Sequence, residues 1–594
     1  MPLSKNGIVR SQPITQSGGL NTKFVSVNLA SVELQTALNV IVELDLRVNK
    51  RNGFINRGDI VPDGGNPASK IQGFGEYQRV DNSWVEWVVR NGKLYVRNRG
   101  VSAWTNKILP TDFTTTAEVN GKDVFFHTPT AIVTGTTTAP FDSQSLTDTT
   151  KTWVVDAYKD KMVVITGGTG IGQWAKISSN TTNKLIFFNV FSIIPDGTST
   201  YGIYDIDKIL ILGDGVHELI RYDGNSATTI VNSPKGNIFT EWQQRLVVAG
   251  VLNDINTAHF SQIGNPEYFV INSSSYSPAS PQNFTSIKGK IVGLATMTLD
   301  SERLLVYTEK TLYDIIYSSG IVVRERDLSF GGINYRGITK VDGNPTNIAS
   351  DYSIRIFGNR TQLSSGVTID DIGYKISPNI KTAYNLTNSS AVYLDKNMYI
   401  ALQENIGSTT NDVIYCYNIL KNIWTKFNGN YVSFKQLAII ENRLCGASND
   451  GYIYNQRLDT DVNRFVDGTN TPINAVIKTK DENLGSSNEK TFSVCRAWIG
   501  NRGSITSSVT LNGEVKKYAS EIANTTLYNK ISVVPILSSG STNKQSCVYK
   551  QFYMVKRGST IAFEFSNNNL NEDFSLLKIE IGFTLADNRS STLK

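Results

Sequence analysis

Short runs of branched and aromatic residues recur along almost the whole chain, separated by turns rich in Gly, Asn, Asp and Ser. Runs of about four to eight such residues between turn residues are typical of β-strands and too short for helices. The clearest of these runs are 93–96, 208–212, 245–248, 303–307, 397–402 and 441–445. The chain is therefore predicted to be all-β.

The runs also recur at a larger spacing. Five of the runs are led by Ile209, Arg245, Arg303, Met398 and Arg443. These positions follow one another at intervals of 36, 58, 95 and 45 residues. The widest gap contains a further pair of candidate strands at 346–357, and Asp-Gly turns at 223–224 and 450–451 suit hairpins because Gly accepts a positive φ. A spacing near 45 residues fits a four-stranded blade, so we predict an irregular β-propeller of six or seven blades. An array of β-sandwiches is the structural alternative.

Two stretches interrupt this repeat. Residues 137–204 are predicted to form a small β-barrel inserted between two propeller strands, on a loop where insertions are tolerated. Beyond Val466 the repeat ends, and the alternating patterns at 560–565 and 578–581 predict a separate β module. A short helix is expected over Ser31–Asn39, with Ser31 as its cap. The predicted divisions are an N-terminal arm and docking segment 1–66, a first part of the propeller 67–136, the inserted barrel 137–204, the main part of the propeller 205–465 and a C-terminal β domain 466–594.

Charge and hydropathy exclude several classes of protein. The chain has 58 Lys and Arg against 52 Asp and Glu, a net charge of +6 over 594 residues, which is too small for a histone-like nucleic-acid binder. No run of about 18 apolar residues occurs, so no membrane insertion by this chain is expected. The opening residues lack the apolar core of a secretory signal.

Cysteine and histidine are scarce, and the absence of any CxxC spacing argues against a zinc knuckle or a redox motif. The cysteines are predicted to be reduced, mostly buried thiols, and no metal or cofactor site is expected. The four cysteines are Cys416, Cys445, Cys495 and Cys547. The three histidines are His127, His217 and His259.

Two motifs suggest chemistry, and both have a simpler interpretation. The glycine-rich stretch 167–172 could cradle phosphate, but a strand-like segment follows it where a phosphate loop needs a helix, so a glycine hairpin is favoured. Asp370 and Asp371 could form a carboxylate pair. Neighbours on a strand face opposite ways, however, so a solvated turn is preferred.

Signatures of hydrolases are missing or incomplete. There is no Gly-x-Ser-x-Gly elbow, and residues 448–451 begin like a sialidase box without its Trp. The chain is therefore expected not to be an enzyme, and no catalytic residue is assigned. Lys50-Arg51 and Lys556-Arg557 are interpreted as solvated or interface charge. Tryptophans interpreted as packing between blades are Trp84, Trp87, Trp153, Trp242 and Trp424.

Several segments together resemble a known family, the tail nozzle proteins of short-tailed bacteriophages, also called tail tubular protein B or DNA-stabilisation proteins. The opening segments 17–22, 37–40 and 50–54 are similar to the start of that family. The propeller segments that carry the resemblance are 242–250, 260–269, 291–294 and 303–308. The insert, with Trp153 and 168–173, is similar to a β module common in phage structural proteins.

The resemblance implies a structural protein of a podovirus virion, assembled in the bacterial cytoplasm. The implied assembly is a homo-hexameric ring at the distal end of the short tail. It would dock on the tail adaptor, retain the packaged double-stranded DNA and conduct it during ejection. The N-terminal arm and C-terminal module would make ring and adaptor contacts, and the inserted barrel would contact tail fibres, spikes or the host surface.

Two other functions remain open at this stage. A propeller in the tail could bind or cleave carbohydrate as a receptor-binding component, in which case aromatic residues and paired carboxylates should meet in one cleft. Alternatively, the chain could be a cellular propeller scaffold that gathers partners.

Overall fold

The structure is a computed structural model dominated by β-strands. It describes residues 10–14, 18–24, 28–30, 32–43, 47–79, 82–127, 131–171, 173–188, 191, 193–243, 245–261, 265–269, 284–297, 303–317, 321–327, 329–358, 368–461, 463–484, 489–500, 506–511, 514–516, 547–570, 572 and 575–585. Within these ranges one α-helix occurs, Ser377–Thr382, and it directly follows the 3₁₀ turn Tyr374–Ile376. None of the helices in the described ranges is long and apolar enough to cross a membrane.

The strands fall into a few groups along the chain. The N-terminal strands are β1 (Arg10–Ile14), β2 (Gly19–Leu20), β3 (Glu33–Leu38), β4 (Val40–Val42), β5 (Val48–Lys50) and β6 (Phe54–Asn56). The next four are β7 (Ile71–Gln78), β8 (Trp84–Arg90), β9 (Lys93–Asn98) and β10 (Thr105–Lys107). The strand that precedes the insert is β11 (Asn120–His127). The strands of the insert are β12 (Val133–Thr136), β13 (Ser145–Thr147), β14 (Met162–Gly167), β15 (Trp174–Asn180), β16 (Lys184–Phe187) and β17 (Thr200–Tyr204).

The remaining strands continue in the same way. Those after the insert are β18 (Ile206–Gly213), β19 (Ile220–Tyr222), β20 (Ala227–Thr229), β21 (Ile238–Trp242), β22 (Arg245–Ala249), β23 (Thr257–Phe260), β24 (Phe284–Ser286), β25 (Ile291–Met297), β26 (Arg303–Thr308), β27 (Leu312–Tyr317) and β28 (Ile321–Asp327). They are followed by β29 (Ile338–Val341), β30 (Asn344–Ile348), β31 (Ile354–Gly358), β32 (Thr368–Asp371), β33 (Asn385–Leu394), β34 (Asn397–Gln403), β35 (Val413–Asn418), β36 (Ile423–Asn428), β37 (Gln436–Ile440), β38 (Arg443–Ala447) and β39 (Ile453–Gln456). The C-terminal strands are β40 (Val466–Asp467), β41 (Thr471–Pro472), β42 (Ala475–Thr479), β43 (Lys490–Gly500), β44 (Thr506–Leu511), β45 (Glu514–Lys516), β46 (Cys547–Gly558), β47 (Ile561–Asn567) and β48 (Ser575–Leu585).

Seven four-stranded antiparallel units form a β-propeller. Blades one to seven are β7–β10, β11 with β18–β20, β21–β24, β25–β28, β29–β32, β33–β36, and β37–β39 with β6. The first strand of each blade packs beside the first strand of the next, and β37 packs beside β7, so the ring closes. We call the first strand of each blade, which lies nearest the propeller axis, its inner strand. Because both faces of a blade are covered by neighbours, an inner strand such as β25 is buried at every position and appears in the sequence as a continuous apolar run. The predicted propeller is confirmed, and the blade number is seven.

The ring closes with a strand from the other end of the chain. In blade seven, β6 pairs antiparallel with β39 through Tyr454 and Asn56, although β6 precedes blade one in sequence. The predicted hairpin turns lie where expected, between β19 and β20 and between β38 and β39, with Gly224 and Gly451 at positive φ. Since each blade repeats one meander, the loops after all inner strands lie on one face of the propeller. We call this the insert face, and the opposite face the entry face.

The insert is a small barrel with its own core. Its strands pair in the order β12-β17-β14-β15-β16-β13, and a bridge between Thr138 and Thr147 joins the two edges. Buried side chains such as Trp153, Ile177 and Tyr201 form a cluster of their own. Strand β12 pairs with β17, so the barrel begins before residue 137, the boundary suggested by the sequence. The barrel interrupts the hairpin between β11 and β18 and therefore stands on the insert face.

Both ends of the chain build one β-sandwich beside blade six. One sheet contains β1, β4, β5, β48, β43 and β46. The other continues the sheet of blade six, because β36 pairs in parallel with β3, which is followed by β42, β47, β44 and β45. Residues 33–50, predicted within a separate N-terminal arm, thus share a sandwich with the C-terminal strands. A common core cluster spans blades five and six and the sandwich.

The predicted helix over Ser31–Asn39 is wrong, because residues Glu33–Leu38 form strand β3. Its buried positions, Leu34 and Ala37, are three residues apart, as they would be on one helical face. A register shift between Leu34 and Thr36, where β3 pairs with β42, produces that spacing within a strand. Residue 31 itself lies outside the described residues.

Candidate functional site

The centre of the propeller contains a cavity of about 260 Å³. Six of the seven blades, or the turns that lead into them, contribute to its wall. Representative lining residues are Asn120, Phe239, Leu294, Tyr335, Ser390 and Gln436. Asn120 and Gln436 begin their inner strands, which places the cavity toward the entry face. The propeller axis therefore holds a small polar-rimmed chamber.

A 3₁₀ turn, Tyr335–Gly337, places the key side chains at this chamber. The turn is capped by Asn334, whose Oδ1 accepts a hydrogen bond from the N–H of Gly337. The same side chain donates from Nδ2 to the carbonyl of Thr387 at 2.7 Å and to that of Ser389 at 3.2 Å. These carbonyls belong to blade six, so Asn334 fixes the turn against the neighbouring blade.

Arg336 spans the mouth of the chamber between blades. Its Nη2 donates to the carbonyl of Gln72 in blade one at 2.7 Å, and its Nη1 lies 2.8 Å from Oε1 of Glu118. Its side chain is only 6% exposed. Within the described part of the chain, Arg336 Nε and Gln436 Oε1 are buried and have no hydrogen-bond partner.

Positive charge exceeds negative charge around Arg336. Lys435 Nζ lies 3.9 Å from the same Glu118 carboxylate, which is also the acceptor for Arg336. Burial, and then repulsion from Arg336 and Lys70 against the weaker pull of Glu118, lowers the pKa of Lys435 below its usual value. The mouth therefore has the character of an anion site more than of a cation site.

Charged residues also hold the ring closed between blades seven and one. Arg57, directly after β6, lies 2.6 Å from Glu86 and 2.8 Å from Glu441. Glu86 also accepts a hydrogen bond from Arg97 at 2.7 Å, and both of these side chains are 2% exposed. The network links the end of β6, blade one and the first hairpin of blade seven.

Buried polar contacts fix the N-terminal segment to the small sheet β40–β41 and to the sandwich. Arg51 is fully buried and makes a bidentate contact with Asp467, at 2.7 and 3.0 Å. Lys50 is 1% exposed and donates to Oδ1 of Asn567 at 2.7 Å. Lys50-Arg51 was interpreted as solvated or interface charge, and the solvated alternative is wrong, because both side chains are buried where the chain passes between blade seven and the sandwich. The side chains of Lys556 and Arg557 lie outside the described residues.

The far tip of the inserted barrel exposes apolar side chains. Because Gly167 pairs with Thr200 while Met162 pairs with Tyr204, the turns after β14 and before β17 lie away from the propeller. Phe141, Ile171 and Ile194, in or beside these turns, are each about half exposed. The barrel also exposes Val154 and Phe188, so apolar exposure is not confined to this end.

The glycine stretch forms the β14–β15 turn, as predicted. Gly168 and Gly170 adopt positive φ, and strand β15 begins at Trp174. Gln173 stabilises the turn, since its Nε2 donates to the carbonyl of Ile193 and its Oε1 accepts from the N–H of Ile193, both at 2.8 Å. Residue 172 lies outside the described residues. A helix N-terminus, which a phosphate loop requires, does not follow.

Asp370 and Asp371 end strand β32, where a turn had been predicted, and pair with Ile356 and Arg355. They form the outer edge of blade five. Asp371 accepts a hydrogen bond from the N–H of Gly373 at 2.9 Å. The turn begins after Asp371, so the two aspartates lie at the end of a strand and not within the turn itself.

Three of the five tryptophans, Trp87, Trp242 and Trp424, lie in core clusters of the propeller, whereas Trp153 packs in the core of the inserted barrel. Trp87, Trp153, Trp242 and Trp424 are buried. Trp84 is half-buried, and the guanidinium of Arg99 lies 4.3 Å from its ring centroid. Core packing thus accounts for four of the five.

Cys416 and Cys445 are free and buried, as predicted, and burial raises the pKa of each thiol to about 12. Each of two histidines contacts one carboxylate: His217 contacts Asp214 at 2.9 Å and His259 contacts Asp254 at 3.0 Å. The side chains of the other cysteines and of His127 lie outside the described residues. Clusters of three or more potential metal ligands do not occur within the described ranges.

No family model and no curated protein matches the chain. Among solved structures, it is similar to the WD40 β-propeller domain of Doa1, at 7% identity and a TM-score of 0.33, covering 69% of this chain and 98% of that one. It is also similar to Saccharomyces cerevisiae Sqt1, at 9% identity and a TM-score of 0.31, covering 71% and 99%. Chaetomium thermophilum Raptor aligns at 10% identity and a TM-score of 0.32, covering 68% of this chain and 28% of Raptor. The chain thus spans less than a third of the Raptor structure.

Proposed function

We propose that this chain is a non-enzymatic building block of a short phage tail, forming the hexameric nozzle that docks on the adaptor, retains packaged DNA and conducts it during ejection. The observation that carries the proposal is the continuous sheet from blade six into the sandwich built by both chain ends. In a ring, each copy presents two different, complementary surfaces to its neighbours. A sandwich fixed rigidly to one side of a propeller supplies a second surface whose position is constant.

Under this proposal, DNA passes between the copies and not through the propeller axis. The axial cavity has a volume of only about 260 Å³, and Arg336 spans its mouth to contact blade one and Glu118. The lumen would therefore lie on the symmetry axis of the ring. A net charge of +6 over 594 residues suits such a conduit, because every neutralised phosphate adds affinity and would slow sliding.

The inserted barrel supplies a separate surface for outer partners. It has its own core and stands on the insert face, whereas the sandwich lies at the edge of blade six. Its tip exposes Phe141, Ile171 and Ile194. We assign tail-fibre, spike or host-surface contact to the barrel, and ring and adaptor contact to the sandwich.

Cryo-electron microscopy of intact virions along the tail axis tests the proposal. We expect six copies around a central lumen at the distal end of the tail, and a fixed low copy number in proteomics of purified virions. Absence of the chain from virions would refute the proposal and favour a cellular scaffold. Binding on a glycan array together with release of reducing sugar, by a chain outside the ring, would favour the carbohydrate-active alternative.

A further inference from the structure

We propose that the chamber at the entry face binds a small protonated oxyanion, of which hydrogen phosphate is the simplest, held between Arg336 and Gln436. The site lies within the propeller, and the argument for it does not depend on the proposed role in a phage tail. Neither the resemblance nor the seven-bladed architecture by itself implies a ligand there.

The first argument is the space. A cavity holds one water molecule when the space open to the centre of a water-sized sphere is about 10–15 Å³. The chamber has about 260 Å³. It therefore has room for a four-oxygen anion together with several waters.

The second argument is the pair of unused hydrogen-bonding atoms. Buried polar atoms without a partner are uncommon in native proteins, and each one needs an explanation. Here a donor, Nε of Arg336, and an acceptor, Oε1 of Gln436, belong to residues that line one cavity and are unpaired within the described residues. A ligand that both accepts and donates hydrogen bonds would satisfy them together.

The third argument is charge. Arg336 and Lys435 share the single carboxylate of Glu118, so one positive charge remains uncompensated between them. An anion restores the balance, and a guanidinium is suited to phosphate oxygens. A hydrogen phosphate also offers a P–O–H group to Gln436, which a sulfate dianion lacks. The site should therefore distinguish two ions of similar size.

Isothermal titration calorimetry of the full chain with sodium phosphate, and separately with sodium sulfate, tests the site. We expect phosphate to bind and sulfate to bind at least about tenfold more weakly, since an acceptor left unpaired costs about that much affinity. Gln436→Leu should weaken phosphate binding about tenfold but should not weaken sulfate binding, because the acceptor that sulfate leaves unpaired is no longer present. Lys435→Met should weaken the binding of both ions.

The controls separate loss of the site from loss of the fold. Arg336→Met should abolish binding but also removes the contact with Gln72, so it counts only where circular dichroism shows a native spectrum. Arg355→Met, in the same blade, breaks an ion pair with Asp351 and should leave phosphate binding unchanged. Equal affinities for phosphate and sulfate, or an unchanged phosphate affinity in Gln436→Leu, would overturn the proposal.

Discussion

Replacing Asp467 with Asn should destabilise the junction between the N-terminal segment and the rest of the protein. Asp467 is 3% exposed and Arg51 is fully buried, and two hydrogen bonds join them. Asp467 Oδ1 also accepts from the backbone N–H of Phe54 at 2.9 Å. Asparagine retains one oxygen for that N–H, but its amide N–H₂ would face the guanidinium, donor against donor. The positive charge of Arg51 would be buried without a counter-charge.

Removing one partner of a buried ion pair costs about 3–5 kcal/mol. Such a loss lowers the folding equilibrium constant by about a hundredfold to a few thousandfold. The double variant Arg51→Met/Asp467→Leu removes both charges, and only neutral groups lose a partner, among them the Phe54 N–H and the Asn52 carbonyl. Replacing a whole buried ion pair by apolar side chains is often close to neutral, whereas removing one partner leaves a buried charge. The double variant should therefore be more stable than Asp467→Asn.

Urea unfolding followed by tryptophan fluorescence measures the effect. Trp424, one of the eight tryptophans that contribute to the signal, lies in the core shared by blade six and the sandwich. Lys290→Ala serves as the control, because the Lys290–Glu309 pair is about half exposed and its loss should cost at most about 1 kcal/mol. A loss below about 1 kcal/mol in Asp467→Asn, or a double variant less stable than the single one, would refute the reasoning.

Three further predictions concern the modules and the ring. Deleting residues 131–204 should leave the propeller folded, because the barrel has its own core; a global loss of β structure in circular dichroism would contradict this. Gly73→Ala should cost about 1–3 kcal/mol in thermal or urea unfolding, because an added Cβ would lie 2.0 Å from the carbonyl oxygen of Val119; an unchanged stability would show that the blades can move apart. Desolvation, the largest single effect, raises the pKa of Glu441, but the hydrogen bond with Arg57 and the attraction of Arg57, Arg99 and Arg443 together hold that pKa below its usual value. Its contribution should be complete above the ordinary Glu pKa of about 4.3 and fade as pH falls through the lowered value, so unfolding measured against pH should show a weaker acid dependence in Glu441→Gln.

The strands were predictable where burial on both faces produces an uninterrupted apolar run. Strands β25 and β26 show this pattern, and their segments could be identified without knowledge of any contact. The blade number could not be predicted, because the barrel separates β11 from the rest of its blade by a whole module. In addition, the fourth strand of blade seven comes from Phe54–Asn56, far from its partners in sequence.

The residues around the chamber were missed for a related reason. Arg336, Glu118 and Gln436 are each unremarkable in sequence, and only closure of the ring brings them to one place. A weak signal existed in the segment 331–337, where three glycines, an Asn cap and an Arg lie between two strand runs. Nothing in that pattern specifies the chamber. The burial of Lys50-Arg51 was not predictable because charged pairs are usually exposed, and the carboxylate that pairs with Arg51, Asp467, lies more than four hundred residues away.

One short segment couples the two largest modules. Residues 33–57 supply β3, β4 and β5 to the sandwich and then β6 to blade seven. Arg51 and Arg57, on either side of β6, each have a buried carboxylate partner, one near the sandwich and one in the propeller. Closing loops of some four hundred residues costs entropy, which only a large set of contacts can offset. Sandwich completion and ring closure are therefore coupled, because pairing β6 with β39 while the preceding strands are undocked would forgo the Arg51–Asp467 ion pair. The coupling explains why charged residues, which contribute little net stability when buried, are found at this crossing: they fix the register of a segment that serves two modules at once.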